Sequence, residues 1–220
     1  METSRPAGKS WSWGLRIVHW LGALAVLGLL ATVLLRKTFL SYRTNGSLIR
    51  EKLAELNINI ALEPAQAIAR AIRAPMWNWH YILGFALAAL LLVRLLLLLV
   101  LREREVVATS LLGGISGVGL KRRIVRTFHV AGYAVILVMA ATGLMLYFKG
   151  SLGISKDFAG MLKGWHETLT VFFYVFVPLH LAGVAVAEVG GEPGIVSAMI
   201  HGRRPDDPSV ERAGGSAGPA

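Results

Sequence analysis

The chain has 220 residues, of which 55% are hydrophobic and 16% charged, with a formal net charge of +10. That balance is too apolar for a soluble domain and marks an integral membrane protein; the basic residues flank apolar runs, so they point to anionic lipid headgroups and acidic partners and not to nucleic acid. With no cysteine in the chain, covalent haem attachment, cysteine-held iron–sulfur clusters, thiolate zinc sites and disulfides are excluded, and any redox centre must rest on histidine, methionine or oxygen ligands.

Residues 1–16 are polar and basic, and Trp11, Trp13 and Trp20 mark a tail meeting a membrane interface. The uncharged run 17–35 is too long for a signal-peptide core, and Arg36 and Lys37 follow it without a small-residue cleavage site, so it is expected to remain as a helix. His19 stands between Arg16 and Gly22. Those three residues suit either a macrocycle with an acidic edge or a plain interfacial histidine beside a packing glycine.

Residues 36–75 are polar, with turn or helix-start signals at Asn45-Gly46-Ser47 and Glu63-Pro64. Leu48, Ile49, Lys52, Leu53 and Leu56 have helical spacing, which predicts one or two short amphipathic helices on the membrane surface. The second apolar run, 77–101, begins near His80 and Gly84 and carries one charge, Arg94, fourteen residues after His80 on the same helix face. An intramembrane arginine needs an acidic partner, such as a haem propionate, or a snorkelling path to the surface.

A short polar loop, 102–123, precedes the third run, 124–148, where Arg126, His129 and Tyr133 share a face. They could anchor propionates, line a quinone pocket or anchor the helix at the interface. A polar turn over 149–163 is expected before the fourth run, 165–189. Gly190 to Gly194 then breaks the helix, 195–200 suits a short surface helix, and His201 and the tail that follows read as exposed or disordered.

The fourth run holds His166 and His180, fourteen residues apart, which places them nearly on one face and about 21 Å apart along a helix axis. Four spans put both termini on one side. His19 and His180 then share the terminal level, His80 and His166 share the opposite level, and His129 is a spare at the terminal level. Paired imidazoles between apolar helices are costly unless something uses them. Bis-histidine ligation of haem iron supplies that use, whereas zinc or copper sites need three or four ligands at one level. Two haems at opposite surfaces would form a transmembrane electron wire.

The stretch Arg16-Ile17-Val18-His19-Trp20, His80 with Gly84, His129 with Tyr133, and His166-Glu167 followed by His180 together resemble the bacterial cytochrome b561 family, close to the b-type cytochrome subunits of nickel-iron hydrogenases and formate dehydrogenases. The resemblance covers roughly residues 12–204 apart from 36–75. It implies an all-α, integral membrane four-helix bundle with transmembrane helices at about 17–35, 77–101, 124–148 and 165–189. A single diheme domain would cover 1–204, with 36–75 outside the cytoplasm and a disordered tail over 205–220. His19, His80, His166 and His180 match the family's haem ligands, for two haem b, and both termini would be cytoplasmic in a bacterial inner membrane.

Three functions remain open on the sequence. The first is a respiratory-chain diheme cytochrome exchanging electrons between quinone and a dehydrogenase, hydrogenase or cytochrome c. The second is a stand-alone quinone-linked oxidoreductase acting on a small oxidant such as superoxide. The third is a non-redox helical anchor or transporter.

Overall fold

A computed structural model of the protein describes residues 12–100, 120–190 and 194–202, with the backbone alone at 98–100, 120–122 and 126. Every regular element among these residues is a helix: α1 Trp13–Lys37, α2 Tyr42–Glu55, α3 Leu62–Ile72, α4 Ala74–Val100, α5 Leu120–Tyr147, α6 Lys156–Gly190 and α7 Ile195–His201. Four stretches are long and apolar enough to cross a membrane: Trp13–Lys37, Ala74–Leu97, Arg123–Tyr147 and Lys156–Gly190. They turn large apolar side chains outward, among them Leu24, Leu92, Leu181 and Val186, as a bundle whose solvent is lipid must.

Each long helix outruns the apolar segment that reveals it. Hydropathy marks the part inside hydrocarbon, while the helix continues into the polar interface until a cap ends it. At α1 the Ser12 hydroxyl accepts from Leu15 N at 3.4 Å, and Arg36 and Lys37 occupy the last turn, where cations complement the helix dipole. The largest correction is at α6. The expected turn 149–163 is helical from Lys156, because Ser155 accepts from Phe158 N at 3.3 Å and Asp157 sits in the first turn. The polar residues there end the membrane-buried stretch without ending the helix.

Glycines record how neighbouring helices approach. A Cβ on Gly28 of α1 would lie 2.7 Å from the Leu83 side chain of α4, and one on Gly132 of α5 would lie 2.8 Å from the Phe176 ring of α6. Consecutive spans are antiparallel: Gly14 faces Leu97 while Gly28 faces Leu83. Between α4 and α5, Tyr81 meets Tyr147 edge-on at 5.1 Å and Phe85 meets Tyr147 at 4.9 Å, arrangements favoured by the ring quadrupole.

The connection 36–75 contains two helices, α2 and α3, packed on each other. Pro64 lies in the first turn of α3, where its missing N–H costs nothing. Asn45-Gly46-Ser47, expected as a turn or a helix start, is neither, since α2 begins at Tyr42 and all three residues lie inside it. Gly46 is buried there because a Cβ would come 2.9 Å from the Gln66 Cα of α3. The glycine signals close approach of two helices and not a chain reversal.

The expected helix at 195–200 is present as α7. It is more than a surface helix. The Glu188 carboxylate accepts from Gly194 N and Val196 N, both at 2.9 Å, so α6 supplies the cap of α7. The far end of α7 reaches α1: Arg16 Nη1 donates to Ile200 O at 2.6 Å and Trp20 Nε1 to Met199 O at 3.2 Å. His201 is exposed as expected. The tail 205–220 lies outside the described residues.

Candidate functional site

The bundle brings the histidines together in the two levels expected. At the non-terminal level, His80 of α4 and His166 of α6 have ring centroids 6.4 Å apart with planes at 69°. At the terminal level, His19 of α1 and His180 of α6 stand 6.2 Å apart at 53°. His129 of α5 also reaches His180, at 5.6 Å and 82°. Among the described residues no three His, Cys, Asp or Glu side chains close into a metal cage.

The upper pair has partners that the sequence reading did not identify. His80 Nδ1 lies 2.7 Å from Thr32 Oγ1 of α1, and His166 Nδ1 lies 2.9 Å from Thr142 Oγ1 of α5. Each hydroxyl already donates within its own helix, Thr32 to Leu29 O at 2.6 Å and Thr142 to Val138 O at 2.7 Å. With those protons on the carbonyls, the hydroxyl oxygens are available to accept from the imidazoles, an arrangement that suits Nδ1–H tautomers with the Nε2 lone pair free. Gly143 permits the approach of α5 to this ring, since a Cβ there would lie 3.3 Å from His166 Cε1. The available signal was a threonine in each of two apolar runs, a polar residue that a membrane helix must satisfy.

Beside this pair, Arg36 Nη2 donates to Glu167 Oε1 at 3.0 Å, Lys163 Nζ meets the same oxygen at 3.1 Å, and the Arg36 guanidinium lies 5.8 Å from the Trp77 ring centroid. Arg36 thus ties α1 to α6 at the level of His166.

The lower level gathers the remaining expected residues. Arg94 of α4 stands 6.0 Å from the Tyr133 ring of α5, and its Nε is buried without a hydrogen-bond partner. Arg16 Nε is likewise buried and unmatched, although its Nη1 is held by Ile200 O. His129 donates from Nδ1 to Val125 O at 2.7 Å. Phe176 stacks on His180 at 5.9 Å and 5°. The Arg126 side chain, expected on the same face as His129, lies outside what the structure describes.

The family profile of prokaryotic cytochrome b561 matches residues 10–202. The chain belongs to the prokaryotic cytochrome b561 family. No curated protein and no solved structure gives a match. Membership makes the chain a bacterial membrane b-type cytochrome in electron transfer and implies haem b. The residues fit that group. An imidazole nitrogen binds a transition metal at about 2.0–2.1 Å, with the ring centroid roughly 1.1 Å further back, so two axial rings have centroids about 6.2 Å apart. The separations of 6.2 and 6.4 Å match this value, whereas the 5.6 Å between His129 and His180 is too short. Gly22 and Gly84, each close to a paired histidine in sequence, face open space where a Cβ would go, and the unmatched guanidinium nitrogens of Arg16 and Arg94 suit carboxylate groups.

Proposed function

We propose that this cytochrome is a transmembrane diheme protein exchanging electrons between the quinone pool and a redox partner. His80 and His166 would be the axial ligands of an outer haem, and His19 and His180 those of an inner one. The observation that carries the reading is the repetition of a ligand-like ring separation at two levels of α6. Bound haem supplies a one-electron iron couple, and two histidines per iron leave no coordination position for dioxygen.

The protein's own groups supply the rest. Arg94 and Arg16 are the candidates to neutralise propionates of the inner haem, and Arg126 is kept as a third from the sequence pattern. His129, with its Nδ1–H on the Val125 carbonyl, directs Nε2 away from that bond as a candidate proton acceptor. Together with Tyr133 it is suited to take the proton released when a quinol gives up an electron. In this reading both termini are cytoplasmic, as the resemblance to the family implies, and α2 and α3 lie outside. A dehydrogenase, hydrogenase or cytochrome c is the corresponding outer partner.

A second reading, direct exchange with a small anionic oxidant such as superoxide, is favoured by the α2–α3 surface. Arg43, Arg70 and Arg73 lie 5.8, 5.4 and 4.9 Å from the Tyr42 ring centroid. The Arg43 hydrogen bond, aided by the other charges, pulls the Tyr42 phenol below its ordinary value. Burial, then the charge of Arg36, holds the Arg73 guanidinium below its own.

A pyridine haemochrome assay on the purified protein tests the central claim, with two b haems per chain expected. His80→Ala or His166→Ala should remove one haem, and His19→Ala or His180→Ala the other. One haem or none in the unmodified protein sinks the diheme reading.

A further inference from the structure

Two buried threonines remain outside the roles assigned so far. Thr32 and Thr142 are only 6% and 5% exposed, so water does not compete for their oxygens. A threonine in a membrane helix commonly bonds back to its own carbonyl. Here each does so and also meets an imidazole across a helix boundary. The arrangement occurs twice at one level, α1 serving α4 and α5 serving α6. The terminal level is built differently: among the described residues no hydroxyl meets His19 or His180 in this way.

We propose that Thr32 and Thr142 are positioning residues that lock His80 and His166 as Nδ1–H tautomers and set the reduction potential of the outer haem independently of the inner one. This rests on the bis-histidine assignment above. An imidazole whose Nδ1–H is bonded to an acceptor is a stronger donor at Nε2. A more basic axial nitrogen favours the ferric iron over the ferrous, so these hydroxyls lower the outer potential. Each hydroxyl has a single proton, so a ring that reversed its tautomer would have to draw that proton away from the carbonyl of the same helix.

The test uses the full-length protein in detergent, with Thr32→Val, Thr142→Val and the corresponding serine variants. Haem content is measured by pyridine haemochrome and each haem by visible redox titration and low-spin EPR. The outer haem is identified as the one lost in His80→Ala. Each valine variant should retain two haems and raise the outer potential by a factor of three or more in the reduction equilibrium, about 28 mV at 59 mV per tenfold for one electron. Serine should restore the original value, and the inner haem should not move. If a valine variant loses only the outer haem while its serine counterpart keeps it at the original potential, the hydroxyl is still the determinant. Unchanged potentials in both valine variants, a shift confined to the inner haem, or loss of haem in valine and serine variants alike would overturn the proposal. Fewer than two haems in the unmodified protein would instead defeat the diheme reading itself, so the two failures are distinguishable.

Discussion

His129 sits within reach of His180 yet its ring separation differs from that of a ligand pair. Its ring is closer to His180 than two axial imidazoles can be, at 5.6 Å, while its Nδ1–H on Val125 O leaves Nε2 to accept from another group. We therefore predict that His129→Ala keeps both haems but slows their reduction by a quinol analogue at least tenfold, or about 1.4 kcal/mol of transition-state stabilisation. Stopped-flow haem reduction measures this, and unchanged kinetics with intact haems would move the quinone site elsewhere. At this scale the histidines were legible in the sequence because an imidazole in an apolar run is conspicuous and fourteen residues of helix return it to one face. Thr32 and Thr142 were not. Their role depends on contacts with His80 and His166, 48 and 24 residues away, and no local periodicity encodes a contact between helices.

At the scale of elements, the four spans were legible from hydropathy and their ends were not, because polar interface residues are compatible with both a loop and a continuing helix. Gly46 shows the same ambiguity: Asn-Gly is a turn signal when the chain reverses, yet here it admits α3 against α2. Replacement by alanine would place a Cβ 2.6 Å from Gln66 Cγ and 2.9 Å from Gln66 Cα. Backbone cannot rotate away, so Gly46→Ala should cost the hairpin about 1–3 kcal/mol of overpacking. Hydrogen exchange should rise across 42–72 while the haem spectrum stays unchanged, because the paired histidines lie on other helices. Protection equal to that of the unmodified protein would show that the two helices separate without cost. By contrast, the Arg36–Glu167 pair is partly exposed, at 22% and 43%, and contributes about 0–1 kcal/mol at most. Its place between α1 and α6 concerns alignment more than stability.

Over the whole molecule, the two ends of the bundle differ in their cover. α7 closes the terminal end by joining α6 to α1, and the α2–α3 hairpin stands at the other. The proposed orientation predicts that, at Ala220, a fused reporter that works only in the cytoplasm is active and one that works only in the periplasm is silent. The reverse result would exchange inner and outer throughout.

If the hairpin faces outward, its arginines act on whatever approaches the outer haem. Arg70 and Arg73 flank Tyr42, and a surface of one sign raises the encounter rate of an oppositely charged partner by about 10- to 1,000-fold. Arg70→Glu with Arg73→Glu should therefore slow haem oxidation by ferricyanide, an anion, at least tenfold at low salt. It should leave oxidation by a cationic cobalt complex unchanged or faster. The difference should shrink as ionic strength rises and the Debye length falls to about 8 Å near 0.15 M. Haem content must stay at its original value, because neither arginine lies on a helix that carries a paired histidine. Equal slowing of both oxidants would indicate a disturbed hairpin, and no change in either would place electron exchange with soluble partners away from α2 and α3.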